Sequence, residues 1–406
     1  MKKLPLVIAL SAALVCTLAS AQSSVQVYGR LYPFAIDESG KGATPTGTTG
    51  MATLAGTPTT GGGVPKIKGM AAGNSHIGFR GTEDLGGGLK AKFQIEGVVN
   101  VDDGSTNATA FWNRNTFVGL DGSFGEIKLG LMDTVFKDYG DTLGILGVSS
   151  GTPMSSSNML RKPGFGTSNA ARFHERRANS IRYDSPKFGG GFEFGVQVAT
   201  QENVSTATAQ GPSKTYSVGL QYDNGPFYFA VAHEIHDNFF GGSAQAPSSR
   251  RNNAVAGFQG SSKDAATQYT VEWRPNKQHK FEFDVIMKEY KEPPAAAGRF
   301  ASYKNTAYLV AVDSRWNSQW RTAAHYVRSE KGSCTLGGGG ACSTDGLEGS
   351  KFQIGAAYYF KRSAYLFVAY DQITNGKSAR FSNNEFGANT PGEDSRHFIA
   401  GFSKSF

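Results

Sequence analysis

Several things are scarce or missing in this chain, and each removes a class of protein. No apolar run reaches the roughly 20 residues that a spanning helix needs, except marginally at the N-terminus, so a helical membrane protein is excluded. The glycine runs at 86–88, 189–191 and 337–340 lie in turn-like stretches. None opens a helix after a strand with Walker or dinucleotide spacing, so phosphate-loop readings fail. Seven histidines are scattered, with no HExxH pattern and no metal-ligand spacing. His233 and His236 stand three apart at a strand end, which would turn them to opposite faces. The 41 basic residues outnumber the 33 acidic ones but form no continuous stripe, which speaks against a nucleic-acid partner. No local Ser/His or Asp/His arrangement is visible, and no catalytic residue, cofactor or metal ligand is assigned.

Cysteine is also scarce, at three residues. Cys16 falls within an N-terminal stretch that reads as a secretory signal peptide. Met1-Lys2-Lys3 is a short basic head, residues 4–18 are apolar, and Ala19-Ser20-Ala21 is an A-x-A cleavage site. The expected organisation is a signal peptide at 1–21 and one domain at 22–406. Loss of Lys2 and Lys3 takes the formal net charge from +8 to +6. An exported chain meets an oxidising compartment, so Cys334 and Cys342, separated by a glycine-rich stretch, are expected to form a disulfide. Closing so short a loop contributes about 2 kcal/mol by chain-entropy arithmetic.

What is abundant is glycine, 52 residues, with 28 Phe and 16 Tyr, a composition that disfavours long helices. The recurring unit is a stretch of about ten residues with alternating polarity. In 88–98, Leu89, Ala91, Phe93 and Ile95 fall on one side, and Lys90, Lys92, Gln94 and Glu96 on the other. The same rhythm recurs at 75–81, 125–131 and 280–288. Seven short turn-like connections (82–88, 121–125, 185–190, 222–226, 274–279, 313–318, 360–363) alternate with eight longer polar stretches (about 37–73, 101–109, 133–175, 201–213, 235–265, 291–303, 330–350, 374–394). Fifteen connections predict sixteen strands. Short turns at one end and long loops at the other are the plan of a transmembrane β-barrel, which must close because lipid cannot satisfy an open sheet edge. Ten aromatics, Tyr28, Tyr32, Tyr183, Trp273, Tyr290, Trp320, Tyr358, Tyr359, Tyr365 and Tyr370, are expected near strand ends or on outward faces as interfacial girdles. The last ten residues alternate as well, with Phe398, Ala400, Phe402 and Phe406 on one face.

A terminal Phe after an alternating strand resembles the recognition signal of barrels assembled into the outer membrane. Further segments resemble the Gram-negative general porins of beta-proteobacterial and neisserial type. They include residues 24–31, the run Ser75-His76-Ile77-Gly78-Phe79-Arg80-Gly81-Thr82-Glu83-Asp84-Leu85-Gly86-Gly87-Gly88-Leu89-Lys90-Ala91, residues 113–120 with 124–130, residues 177–186, and Lys361-Arg362-Ser363. The resemblance implies an all-β fold, a sixteen-stranded antiparallel barrel with a third long loop folded into the lumen, and a homotrimer among outer-membrane lipid and lipopolysaccharide. His76 stands where the family often has an arginine, Tyr32 replaces a usual acid and Leu131 a usual arginine. The expected charge ring at the narrow point is therefore altered.

A barrel of sixteen strands is too wide for side chains to fill, so permeation is set by width and by lumen charge. The longest internal loop, 133–175, is the candidate constriction. Strand parity turns Arg30, His76, Arg80, Lys92, Arg114 and Lys128 inward, with Glu96 and Glu126 as the acids. The residues expected at the constriction are Arg30, His76, Arg114 and Arg177, facing Asp138 and Asp141 on the loop. Arg176 and Arg177 cannot be told apart by parity, since one residue of register flips it. An unperturbed His76 would give less anion bias than an arginine. The expected function is passive diffusion of ions and small hydrophilic solutes with an anion preference. A channel selective for carboxylate or phosphate solutes, a barrel enzyme and an adhesin are the alternatives.

Overall fold

A strand with one apolar and one polar face has unpaired backbone along both edges, and closing the sheet removes them. The computed structural model of the chain describes residues 24–106, 110–140, 153–166, 171–200 and 212–406; the expected signal peptide and Asp141 lie outside them. Among the described residues the sheet closes as sixteen antiparallel barrel strands, with one short extra strand, Ser333–Leu336, in a loop. Strand β1 has two segments, Ser24–Leu31 and Phe34–Lys41, and β2 has two, Ile67–Ala71 and His76–Gly86. Then follow β3 Leu89–Val98, β4 Thr116–Gly122, β5 Gly125–Asp133, β6 Arg176–Asp184, β7 Phe192–Thr200 and β8 Lys214–Asn224. The second half is β9 Phe227–Asp237, β10 Lys263–Trp273, β11 His279–Lys291, β12 Phe300–Arg315, β13 Trp320–Ser329, β14 Gly349–Lys361, β15 Ala364–Asn375 and β16 Asp394–Ser405.

Each strand pairs with its sequence neighbours, and β1 closes the ring. Its first segment pairs β2 (Gln26 with Arg80, Arg30 with His76), and its second pairs β16 (Phe34 with Gly401, Glu38 with His397). The break falls at Pro33, which has no N–H to give the ladder. The chain end completes the seam: the Gly29 amide donates to the Phe406 carbonyl and the Phe406 amide to that of Gly29, both at 3.1 Å. Gly29 must lack a side chain, because a Cβ there would stand 2.5 Å from the Phe406 ring. All seven short connections gather at one end. In the turn after β2, Gly86, Gly87 and Gly88 have φ of 85°, 63° and 83°, the left-handed region that glycine enters at no steric cost.

The two faces separate as the alternation predicts. Leu129, Val310 and Val368 are 50, 55 and 56% exposed on the outside, whereas their neighbours Lys128, Ala311 and Ala369 point inward. Five of the ten aromatics expected at the girdles instead face the interior. Trp273, Trp320, Tyr358, Tyr183 and Tyr370 lie outside, but Tyr32, Tyr290, Tyr359 and Tyr365 are buried inside and Tyr28 bonds a lumen carboxylate. Parity forces this: Tyr358 and Tyr359 are adjacent in one strand and must face opposite ways.

The third long loop folds into the barrel and is held there by the wall. Among its described residues are two short helices, α1 Val135–Tyr139 and α2 Ser157–Leu160. Thr134 caps α1, its hydroxyl accepting from the Lys137 amide. Inward-pointing donors hold successive carbonyls of the loop. Tyr228 on β9 donates to Tyr139 (2.7 Å), Lys288 on β11 to Leu160 (2.6 Å), Tyr290 on β11 to Ala171 (2.7 Å), and Lys351 on β14 to Pro153 (2.5 Å). Beneath them Phe136, Met159, Leu160, Phe165 and Phe173 pack against Ile286, Tyr290, Phe300, Tyr303 and Leu309 from the wall. This sector of the interior is therefore a packed apolar core rather than a water-lined surface. Cys334 and Cys342 are bonded to each other in the loop after β13, with Cα atoms 5.6 Å apart.

Candidate pore-lining site

The wall not covered by the third loop is formed by β1 to β6, where register sets which charges meet. Long side chains on one face reach diagonal neighbours two residues off the direct register as well as those directly opposite; Lys92 itself stands opposite Gly119, and Asp121 lies on the diagonal. Lys92 on β3 therefore reaches Asp121 on β4 (2.7 Å) and Glu126 on β5 (3.3 Å). Lys128 on β5 contacts the same Glu126 (3.3 Å) and Asp184 on β6 (2.9 Å). Arg182 on β6 donates to Asp184 (2.8 Å) and pairs with Asp138 on α1. A ladder of alternating charge thus runs across four strands and ends on the inward loop.

Beside it lies a second group. Arg114 pairs with Glu96 and donates to Asn74 Oδ1 (2.9 Å), while the Tyr28 hydroxyl donates to Glu96 Oε2 (2.8 Å). His76 Nε2 stands 4.0 Å from that carboxylate, and its Nδ1 lies 3.0 Å from the Asn74 carbonyl. Arg30, next along the wall, donates to Ser403 Oγ (3.2 Å) and to the Tyr365 hydroxyl, with its guanidinium 4.3 Å above the Tyr32 ring. Tyr32 itself stacks on Phe367 at 4.4 Å, so an aromatic floor supports this cation where the family would have an acid.

Arg177 belongs to a third group. Its Nη2 lies 3.1 Å from His236 Nε2, its guanidinium sits 4.6 Å over the Phe239 ring, and His236 in turn is 2.8 Å from Glu234. Strand parity cannot choose between Arg176 and Arg177 because it breaks at Asn179, which has φ of 53° where the register between β5 and β6 shifts. That irregularity reverses parity within β6, so Arg177 and Arg182 both reach interior partners although one is odd and the other even. Arg176 also finds one, Asp133 at 3.1 Å, which is shared with Lys137 at 2.6 Å.

The expected constriction residues thus divide among separate clusters. Arg30, His76 and Arg114 share one stretch of wall; Asp138 meets Arg182, and Arg177 meets His236. Sequence reasoning missed Arg182, Asp184, Asp121 and Glu234. Parity sets six basic groups against Glu96 and Glu126 alone, whereas the folded wall also brings Asp121 to Lys92 and Asp184 to Lys128. Arg80 is different: it donates to Gln26 (2.9 Å) and lies 4.8 Å over the Tyr28 ring, with no carboxylate at ion-pair distance among the described residues.

The family model for Gram-negative porins matches residues 7–378. A relative, the major outer membrane protein P.IB of Neisseria meningitidis serogroup A, is 34% identical over 166 residues; the alignment covers 40% of this chain and 44% of that protein. The chain therefore matches less than half the length of that relative. Among solved structures, an anion-selective porin from Comamonas acidovorans aligns over 95% of this chain and all of its own, with a TM-score of 0.70 at 19% identity. The trimer form of the outer membrane protein OmpT of Vibrio cholerae aligns over 95% of this chain and 99% of its own, with a TM-score of 0.60 at 13% identity. At these identities the structural likeness is one of fold.

Proposed function

The chain belongs to the Gram-negative porin family, and from that premise we propose that it is an outer-membrane channel through which ions and small hydrophilic solutes diffuse passively, with a preference for anions. The observation that carries the reading is the division of the sheet into an apolar outer face and a charged inner wall on β1 to β6. Diffusion of this kind needs no covalent step and no energy source. The N-terminal segment would direct export and be cleaved after Ala21, and the mature chain would assemble as a homotrimer, for which the trimeric neighbour of the same fold gives support.

The anion preference rests on the surplus of basic over acidic residues, 39 to 33 once Lys2 and Lys3 are removed, and on cations such as Arg80 that have no carboxylate at ion-pair distance among the described residues. A few uncompensated charges in a confined water path concentrate counter-ions and repel co-ions. The wild-type chain in a planar bilayer should give ohmic steps and, in a salt gradient, a reversal potential favouring chloride. Absence of conductance with measurable lipid or peptide hydrolysis would favour a barrel enzyme instead.

Arg114 offers a test of position. Replacing it with glutamate sets a second carboxylate against Glu96. The expected outcome is a shift of the reversal potential toward cation preference, with a smaller shift for Arg114→Gln. An unchanged potential in both would place Arg114 away from the narrow part of the path. Arg177 is a poorer probe, because Arg177→Glu would set a carboxylate beside His236 and the fully buried Glu234 and disturb folding.

A further inference from the structure

The loop between β1 and β2, residues 42–66, is tied down at both roots and at its tip. At the first root the Thr44 amide donates to the Pro391 carbonyl (2.8 Å) and the Thr44 hydroxyl to that of Lys377 (2.7 Å), both in the last loop. At the second root the Glu393 carboxylate accepts the Gly63 and Val64 amides at 2.7 and 3.1 Å. Between the roots the chain passes over the last loop and reaches the loop after β13. The Ala52 amide donates to Ser378 Oγ (2.8 Å), the Thr53 amide to the Ser343 carbonyl (2.8 Å), and the Ser343 amide back to Thr53 Oγ1 (2.8 Å). Leu54 is fully buried in one apolar cluster with Leu347, Ile373, Phe381 and Phe165 of the third loop. Ile286 and Leu309, which point inward from β11 and β12, belong to the same cluster, so the tip lies on the lumen side.

The seat of this tip depends on the disulfide. Cys334 is fixed to the wall, because its short strand pairs with β12 and sets Cys334 opposite Tyr303. From there to Cys342 the chain runs through four glycines and an alanine, residues 337–341, which have almost no side chains to hold them in place. The bond carries the fixed position of Cys334 across that stretch to Cys342, and Ser343, the partner of Thr53, comes next. Both cysteines also pack against the cluster that receives Leu54. On its far side Ser343 is held by the Thr344 hydroxyl, which donates to the Gly332 carbonyl (2.9 Å), and by the exposed pair Lys331–Asp345 (3.4 Å), a kind of contact that contributes little. The two cysteines are half-buried and residues 338–341 are exposed, so a small thiol can reach the bond.

We propose that residues 42–66 form a strap across the lumen side of the long-loop mouth and that the Cys334–Cys342 bond is its latch, so that reduction by an external dithiol lets the strap lift and widens the entry. In the exchange a thiolate of the dithiol attacks one sulfur and the S–S bond breaks, and the released cysteine takes up a proton. The second thiol of the reagent then attacks the mixed disulfide. Two electrons pass to the pair, which becomes two thiols, and the reagent leaves as its own disulfide. Residues 337–343 regain their chain entropy, and the Thr53–Ser343 contacts lose a fixed partner. The effect on conduction rests on the reading of the protein as a channel; the release of the strap does not.

Two readouts on the full chain test this, with and without dithiothreitol. Amide exchange in detergent, read by mass spectrometry on peptides containing Thr53, should be about tenfold faster after reduction, because the latch no longer shares the cost of local opening. Single-channel conductance in a planar bilayer should step up when the reagent is added on the long-loop side. The double variant Cys334→Ser with Cys342→Ser should match the reduced wild type in both and ignore the reagent. Leu54→Asp, with the bond intact, sets a carboxylate in the apolar seat and should raise conductance without any reagent. Heat-modifiable migration on gels confirms that each variant is folded. Unchanged exchange at Thr53 after complete reduction would overturn the latch. Faster exchange in a conducting channel whose steps stay the same size would overturn the strap as part of the entry. Faster exchange in a chain that conducts in neither state would support the latch and contradict the functional reading.

Discussion

Asp371→Ala is expected to cost the folded barrel about 3–5 kcal/mol, the usual penalty for stripping one partner from a buried ion pair. Asp371 is fully buried on β15, and each of its oxygens has a cation-capable partner: Lys351 Nζ of β14 at 2.6 Å and His397 Nδ1 of β16 at 2.7 Å. The far side of His397 faces Glu38 of β1 at 3.5 Å, and its Nε2 lies 2.9 Å from the acceptor Asn384 Oδ1. Glu38 in turn accepts the backbone amides of Glu385 (2.8 Å) and Phe386 (3.2 Å). One carboxylate therefore ties four strands at the closure seam to the last loop and, through Lys351 and Pro153, to the third. Removing it leaves Lys351 buried without its acid. The check is denaturant unfolding in detergent, followed by tryptophan fluorescence and gel mobility. The double variant Asp371→Leu with Lys351→Met should recover part of the loss, because it removes both charges together. A midpoint for Asp371→Ala within error of wild type would mean that the network contributes nothing net.

The second large effect concerns the opposite face. Val310 on β12 is 55% exposed and stands in register with Phe283 on β11 and Tyr326 on β13, both outward. If that band meets hydrocarbon, Val310→Arg costs about 2–4 kcal/mol at the depth of the bilayer centre. Lys304, outward on the same strand nearer the long-loop end, already carries a charge, so Lys304→Ala should change stability by less than about 1 kcal/mol. Reversible unfolding from lipid vesicles measures both. Equal, small effects would mean that the strand does not cross lipid.

The fold was legible because its signal is local. A two-residue period needs only neighbours along one strand, and glycine-rich turns alternate with long loops in plain order. The inward third loop came from family resemblance; the donors that hold it, Tyr228, Lys288, Tyr290 and Lys351, are scattered over three strands and carry no local mark. Tyr28 and Tyr32 were misplaced for a different reason. They share parity with Arg30, which the sequence shows, and a girdle expectation based on position along the strand takes no account of parity. The charge pairing was not legible at all. Whether Lys92 meets Asp121, or Arg182 meets Asp138, depends on cross-strand register and on where a distant loop comes to rest. Parity itself failed at β6, where the left-handed Asn179 reverses it; asparagine's tolerance of that conformation was the only available hint. The Glu38–His397–Asp371–Lys351 network joins residues from both ends of the chain and exists only once the barrel closes.

Nitroxide labels placed singly at 126, 127, 128 and 129 on β5, in protein reconstituted into vesicles, test the two-faced wall most directly. Dissolved oxygen should relax labels at Ile127 and Leu129 far more than a water-soluble nickel reagent does, and the order should reverse at Glu126 and Lys128. Four positions with the same preference, whichever reagent it favours, would contradict a sheet that meets lipid on one side and water on the other.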